Sequence, residues 1–118
     1  MAIILYVEDD PDVHKSTQRL LSIGGHTVKG AHHGQQGLEV LAKEDKIDII
    51  LSDFKMPVMN GYDFLKVVKT DPKYSRHSKV PVVGVGDFPV DRREYLVECM
   101  PKPYNPEKLL SCIDQHCK

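Results

Sequence analysis

The chain lacks several features that would each have fixed its class. Its three cysteines, Cys99, Cys112 and Cys117, are an odd and sparse set with no CxxC spacing. That excludes a disulfide framework and fits a reducing compartment, so cytoplasm is the expectation. Charge of one sign is also missing: Lys+Arg 16 against Asp+Glu 17 leaves a net charge of -1. No basic footprint for nucleic acid exists. No apolar run reaches the roughly 18 residues of a membrane span, and Met1–Val7 is too short and uncharged for a signal peptide. Gly84-Val85-Gly86 is no dinucleotide fingerprint, because position 89 is proline and no helix starts cleanly. Internal repeats, linkers and low-complexity tracts are absent too. At 118 residues, the expectation is one domain with a core of its own.

What is present is alternation. Ala2–Val7 is short, apolar and β-branched, the pattern of a strand buried on both faces. Asp10 and Pro11 supply a helix cap and a favoured first residue. Val13, Thr17, Leu20 and Leu21 give that helix an inward stripe, and Gly24-Gly25 ends it. His26–Ala31 is a weaker strand, followed by a helix over Gln35–Lys43 with Leu38, Leu41 and Ala42 inward. Ile47–Leu51 is the most apolar run and reads as a central strand. Pro57 and Asn60-Gly61 make the next segment a loop. Tyr62–Thr70 returns to helical spacing through Phe64, Leu65 and Val68. Val80–Val85 is a fourth strand, Val90–Glu98 a short helix, and Cys99-Met100 a fifth strand. Asn105-Pro106 repeats the cap-and-proline start for a last helix with Leu109, Leu110 and Ile113 inward. Strands alternating with helices predict an α/β fold: a (βα)5, flavodoxin-like, doubly wound five-stranded parallel sheet covered on both faces.

Chemistry-bearing residues fall where those strands end. Glu8-Asp9 follows the first, Asp53 the third, and Lys102-Pro103 the fifth. In open parallel sheets the crevice outside the carboxyl strand ends takes ligands. Carboxylates converging there repel by about 4 kcal/mol per pair at 4 Å and an effective dielectric near 20, unless a cation intervenes. A hard divalent metal with retained waters suits Glu8, Asp9 and Asp53. An ionised aspartate can also attack phosphorus in line to give an acyl phosphate, with Lys102 adding positive charge.

ILYVEDDPDV, IDIILSDFKMPVMNGYDFL and PKPY, in that order, resemble the receiver domain of two-component response regulators across essentially the whole chain. The resemblance implies that Asp53 is the phosphoacceptor, served by a histidine kinase or histidine phosphotransfer protein. It implies Mg2+ on Glu8, Asp9, Asp53 and the backbone carbonyl of Lys55. Lys102 would pair with the phosphoryl group, and the Lys102-Pro103 bond would be cis. Such a chain is a single receiver domain over 1–118 without an output domain. It is a signalling acceptor rather than an enzyme, acting on a downstream protein the residues do not name.

Two positions depart from the family. Gly86 stands where a serine or threonine hydroxyl usually meets the phosphoryl group, and Cys99 where an aromatic is usual. The stretch between Gly86 and Lys102 is also roughly six residues short, about 9 Å of helix. A hydrogen bond to a charged phosphoryl group is worth about 1.5–3 kcal/mol, close to a typical allosteric coupling. The expectation is therefore preserved acceptor chemistry with an unconventional output. One rival is a pseudo-receiver that docks without phosphate. Another is an aspartyl hydrolase, which would want a second carboxylate two residues after Asp53, where Lys55 stands.

Overall fold

A computed structural model describes residues 1–117. Five strands form one all-parallel sheet: β1 Ile3–Val7, β2 Thr27–Ala31, β3 Ile49–Ser52, β4 Val82–Val85 and β5 Glu98–Met100. Their order across the sheet is β2-β1-β3-β4-β5. Four α-helices accompany them: α1 Pro11–Ile23, α2 Gly34–Lys43, α3 Gly61–Thr70 and α4 Pro106–His116. The predicted flavodoxin-like alternation is present, with one connection reduced.

Strand residues alternate between two cores, as a period of two requires. Ile4 and Tyr6 of β1 pack with Ile49 and Leu51 of β3 against Leu21 of α1 and Leu109, Cys112 and Ile113 of α4. Leu5, Val7 and Ile50 point the other way, onto Leu38 and Leu41 of α2 and Phe64, Leu65 and Val68 of α3. Burying each such aliphatic side chain contributes about 1.5–3 kcal/mol, so the apolar runs suffice to specify a sheet covered on both faces.

Helix starts match their local chemistry. The Asp10 side chain accepts from the Asp12 and Val13 amides with Pro11 at the first turn. Asn60 caps α3 through Asp63, and Asn105 caps α4 through Glu107 and Lys108. Helix α2 begins at Gly34, one residue earlier than expected, because the His33 side chain accepts from the Gln36 amide. Ala42 is exposed rather than inward, while His14, unremarked in the sequence pattern, is buried on α1. Strands β2, β3 and β4 each begin two residues later than their apolar runs, or one in the case of β2. A kinked 3-10 segment, Pro72–His77, precedes β4.

The expected helix over Val90–Glu98 is not there. Only Val90–Arg92 forms a 3-10 turn, and Glu98 belongs to β5. After that turn, residues 93–97 run as an irregular connection into the strand. The loop instead covers the sheet with its own side chains: Phe88 is 2 % exposed and meets Phe54 edge-on at 5.2 Å. Leu96 packs beside it over Gly84. Arg93 Nε donates to the Phe88 carbonyl at 2.9 Å, and the Val97 amide to Val82 at 2.8 Å. Tyr62 of α3 donates to Glu94 at 2.6 Å, which fastens the loop to its neighbouring helix.

Candidate functional site

Strand register alone places the acidic residues together. Val7 pairs with Ser52, so Glu8 and Asp53 are the next residues of adjacent central strands. The chain order reverses between β1 and β3, the switch point where an open α/β sheet leaves its crevice. Val85 pairs with Met100, which brings Gly86 and Lys102 to the same rim.

Glu8, Asp9 and Asp53 each offer a carboxylate oxygen within 4.8 Å of the others. Glu8 is fully buried and Asp53 6 % exposed, whereas Asp9 faces solvent. Lys102 Nζ lies 2.5 Å from Glu8 Oε1 and 3.3 Å from Asp53 Oδ2. The other oxygens are also held: Phe54 N donates to Asp53 Oδ1 at 2.8 Å and Asp10 N to Glu8 Oε2 at 3.2 Å. The ammonium thus offsets the mutual repulsion of two buried carboxylates, the role that the sequence assigned to a cation. Burial pushes Glu8 up to about 7, aided by the Asp53 charge and opposed by Lys102 and the Asp10 amide. Partial burial alone would lower Lys102, but the Glu8 hydrogen bond and both carboxylate charges outweigh it and raise the group. Lys102 therefore stays a cation while Glu8 titrates near neutrality.

Loops after β3 and β5 aim these groups. The Lys102-Pro103 peptide is cis, as the resemblance implied. A Cβ on Gly61 would collide with the Asp53 carbonyl, so glycine there lets the loop after β3 close under Asp53. Val58 in that loop holds φ 69 with its side chain 95 % exposed. Lys55 follows Asp53 in the same loop with its side chain in solvent. Tyr104, not singled out in the sequence, holds the loop carrying Lys102: its hydroxyl meets Thr17 of α1 at 2.5 Å and Tyr6 of β1 at 3.4 Å.

The two departing positions touch. Gly86 holds φ 142, and a Cβ on it would overlap Asp53 Oδ1. Cys99 Sγ donates to the Gly86 carbonyl at 3.5 Å. Glycine here is thus more than a missing hydroxyl. The Gly86 backbone fills the space beside Asp53 that a side chain would need, and the small thiol fits against it. No spacing in the sequence carries that information.

A donor set of three carboxylates, one open to solvent, suits an oxygen-ligated divalent cation that keeps some of its waters. No helix among the described residues is long and apolar enough to cross a membrane.

Comparison with known proteins agrees with this geometry. The response regulator receiver domain family matches residues 4–114. The transcriptional regulatory protein CpxR of Escherichia coli K12 is 32% identical over 114 residues, covering 93% of this chain and 47% of CpxR. The sensor histidine kinase CheAY of Helicobacter pylori is 32% identical over 123 residues, covering 98% of this chain and 15% of that protein. The chain therefore spans half or less of these relatives. Among solved structures, the chemotaxis protein CheY4 of Vibrio cholerae superposes with a TM-score of 0.85 at 27% identity, covering 98% of each chain. With its five parallel strands and the acidic residues at their carboxyl ends, this chain belongs to the response regulator receiver domain family.

Proposed function

We propose that the chain is a phosphoacceptor signalling module in which Asp53 takes a phosphoryl group from the phosphohistidine of a histidine kinase or histidine phosphotransfer protein. The observation that carries this reading is Asp53 itself: a nearly buried carboxylate within 4.8 Å of Glu8 and Asp9 and 3.3 Å from an ammonium. Attack by an Asp53 oxygen forms the O–P bond as the donor's N–P bond breaks, and the electron pair leaves with the imidazole nitrogen. Lys102, already beside Asp53 Oδ2, neutralises charge that develops on the phosphoryl oxygens. The Phe54 amide orients the acceptor through Oδ1.

Glu8, Asp9, Asp53 and the Lys55 carbonyl would hold Mg2+, which supplies further positive charge to the transferred group when bound. Glu8, one of the residues that would hold the ion, also pairs with Lys102. We place the module in the cytoplasm, as one receiver domain whose output is contact with another protein. The acceptor is consumed stoichiometrically, and Lys55 at the second position after it does not provide the acid/base carboxylate of a hydrolase.

The Gly86–Cys99 contact favours one second reading, a pseudo-receiver that docks without phosphate. Intact mass after exposure to a small phosphodonor, acid-quenched, separates the two. A Mg2+-dependent gain of about one phosphoryl group, absent in Asp53→Asn, is expected. No gain in a time course fast enough to catch a short-lived acyl phosphate would leave the docking module standing instead.

A further inference from the structure

The geometry points to a second metal site, between β5 and α4, in which Glu98, Cys112 and His116 bind Zn2+. Helical spacing alone groups Cys112 with His116 and Cys117, but Glu98 had no reason to join them in the sequence, where it was expected to end a helix. As the first residue of β5 it shares a face with Met100, two positions on, and that face looks onto α4. Cys112 and His116, four apart on α4, project from one side of that helix toward it. A carboxylate oxygen, a thiol sulfur and an imidazole nitrogen then lie within 4.8 Å of one another.

Bond lengths make the fit quantitative. Zn–S near 2.3 Å and Zn–N or Zn–O near 2.0–2.2 Å in a tetrahedron put ligand atoms about 3.3–3.8 Å apart. Glu98 Oε1 and His116 Nε2 are already 3.3 Å apart. The Cys112 sulfur lies within 4.8 Å of both atoms, so reaching tetrahedral spacing takes an adjustment of about 1 Å, shared among the side-chain torsions of Cys112, His116 and exposed Glu98. The mixed sulfur, nitrogen and oxygen set suits a borderline-soft cation and not Mg2+ or Ca2+. Glu98 and Cys112 line a cleft of about 540 Å³, so a fourth position opens toward water or an incoming ligand. Coordination releases the thiol proton to solvent as the sulfur–metal bond forms. Bound metal would tie the edge strand to the last helix, the two ends of the segment 101–105 that carries Lys102.

The test uses the full chain with reduced thiols and excess Mg2+, titrated first with Co2+ and then with Zn2+. A thiolate-to-cobalt charge-transfer band that saturates at about one equivalent and is displaced by Zn2+ is expected. Cys112→Ser should remove the band while Cys117→Ser keeps it. Cys112 is buried, so its variant is read beside Glu98→Gln and His116→Ala, which alter more accessible groups. Each of these should weaken Zn2+ by at least about tenfold, since loss of even an outer-sphere partner costs about 10–100-fold. No thiolate band, a band lost with Cys117 instead of Cys112, or unchanged affinity in both Glu98→Gln and His116→Ala would overturn the assignment.

Discussion

Replacing Gly86 with serine would return the side chain that receivers usually carry after the fourth strand, yet we expect it to destabilise this protein. Gly86 holds φ 142, and a non-glycine residue forced into such sparsely populated backbone costs about 1–3 kcal/mol. The new Cβ would also overlap Asp53 Oδ1. That carboxylate has little room to retreat, because Phe54 N holds Oδ1 at 2.8 Å and Lys102 stands 3.3 Å from Oδ2. Overpacking of this kind adds about 1–3 kcal/mol. Against both stands the lower entropy of an unfolded chain with one glycine fewer, worth about 0.4–1 kcal/mol.

The balance is a loss of about 3 kcal/mol. With a urea m-value of about 1–3 kcal/mol/M, the unfolding midpoint should fall by about 1–3 M. Urea titration followed by far-UV circular dichroism measures it, with Gly86→Ala alongside to separate the Cβ from the hydroxyl. Both variants should lose similar stability, and both should take up phosphoryl groups more slowly as Asp53 is displaced. Midpoints within about 0.3 M of the parent for both would refute the reasoning. The glycine would then be a tolerated substitution with no steric requirement behind it.

Glu8 gives a prediction in pH. Its folded value, about 7, lies above the ordinary 4.5, so the native state holds the extra proton between these values. Stability from this group is fully present below pH about 4.5 and is lost as pH rises through about 7. Mg2+ needs the deprotonated form, so the thermal stabilisation that it confers should grow across the same window and should lose that pH dependence in Glu8→Gln. A Mg2+ increment that stays flat from pH 5 to 8 in the parent, by differential scanning fluorimetry, would contradict it. Val58→Gly should stabilise the protein by about 0.5–1 kcal/mol, since left-handed backbone costs a β-branched residue about 1–2 kcal/mol and the freer unfolded chain of the glycine variant offsets about 0.4–1 kcal/mol of that. Its 95 % exposed side chain gives up no packing, and an unchanged urea midpoint would argue against strain at this position.

The order of elements was legible because it rests on local physics. Apolar β-branched runs form strands buried on both faces, and Asp10, Asn60 and Asn105 cap helices wherever they are placed. Glu8, Asp9, Asp53 and Lys102 could be grouped from sequence because each follows a strand, and parallel strands deliver their carboxyl ends to one rim. The helix expected over Val90–Glu98 was not legible. Its spacing was compatible with a turn of helix, and the outcome depended on Phe88 and Leu96 already filling the sheet face over Gly84.

By itself, then, the sequence determined the parallel α/β architecture, the acidic rim and the family, since these follow from periodicity and from which residues end each strand. Tertiary structure alone decided the rest. The Lys102 ammonium between Glu8 and Asp53, the backbone of Gly86 against Asp53, and Glu98 facing Cys112 and His116 all join residues far apart in the chain. Such contacts depend on strand register and on the direction each side chain leaves its element, and these are settled only when the two cores pack.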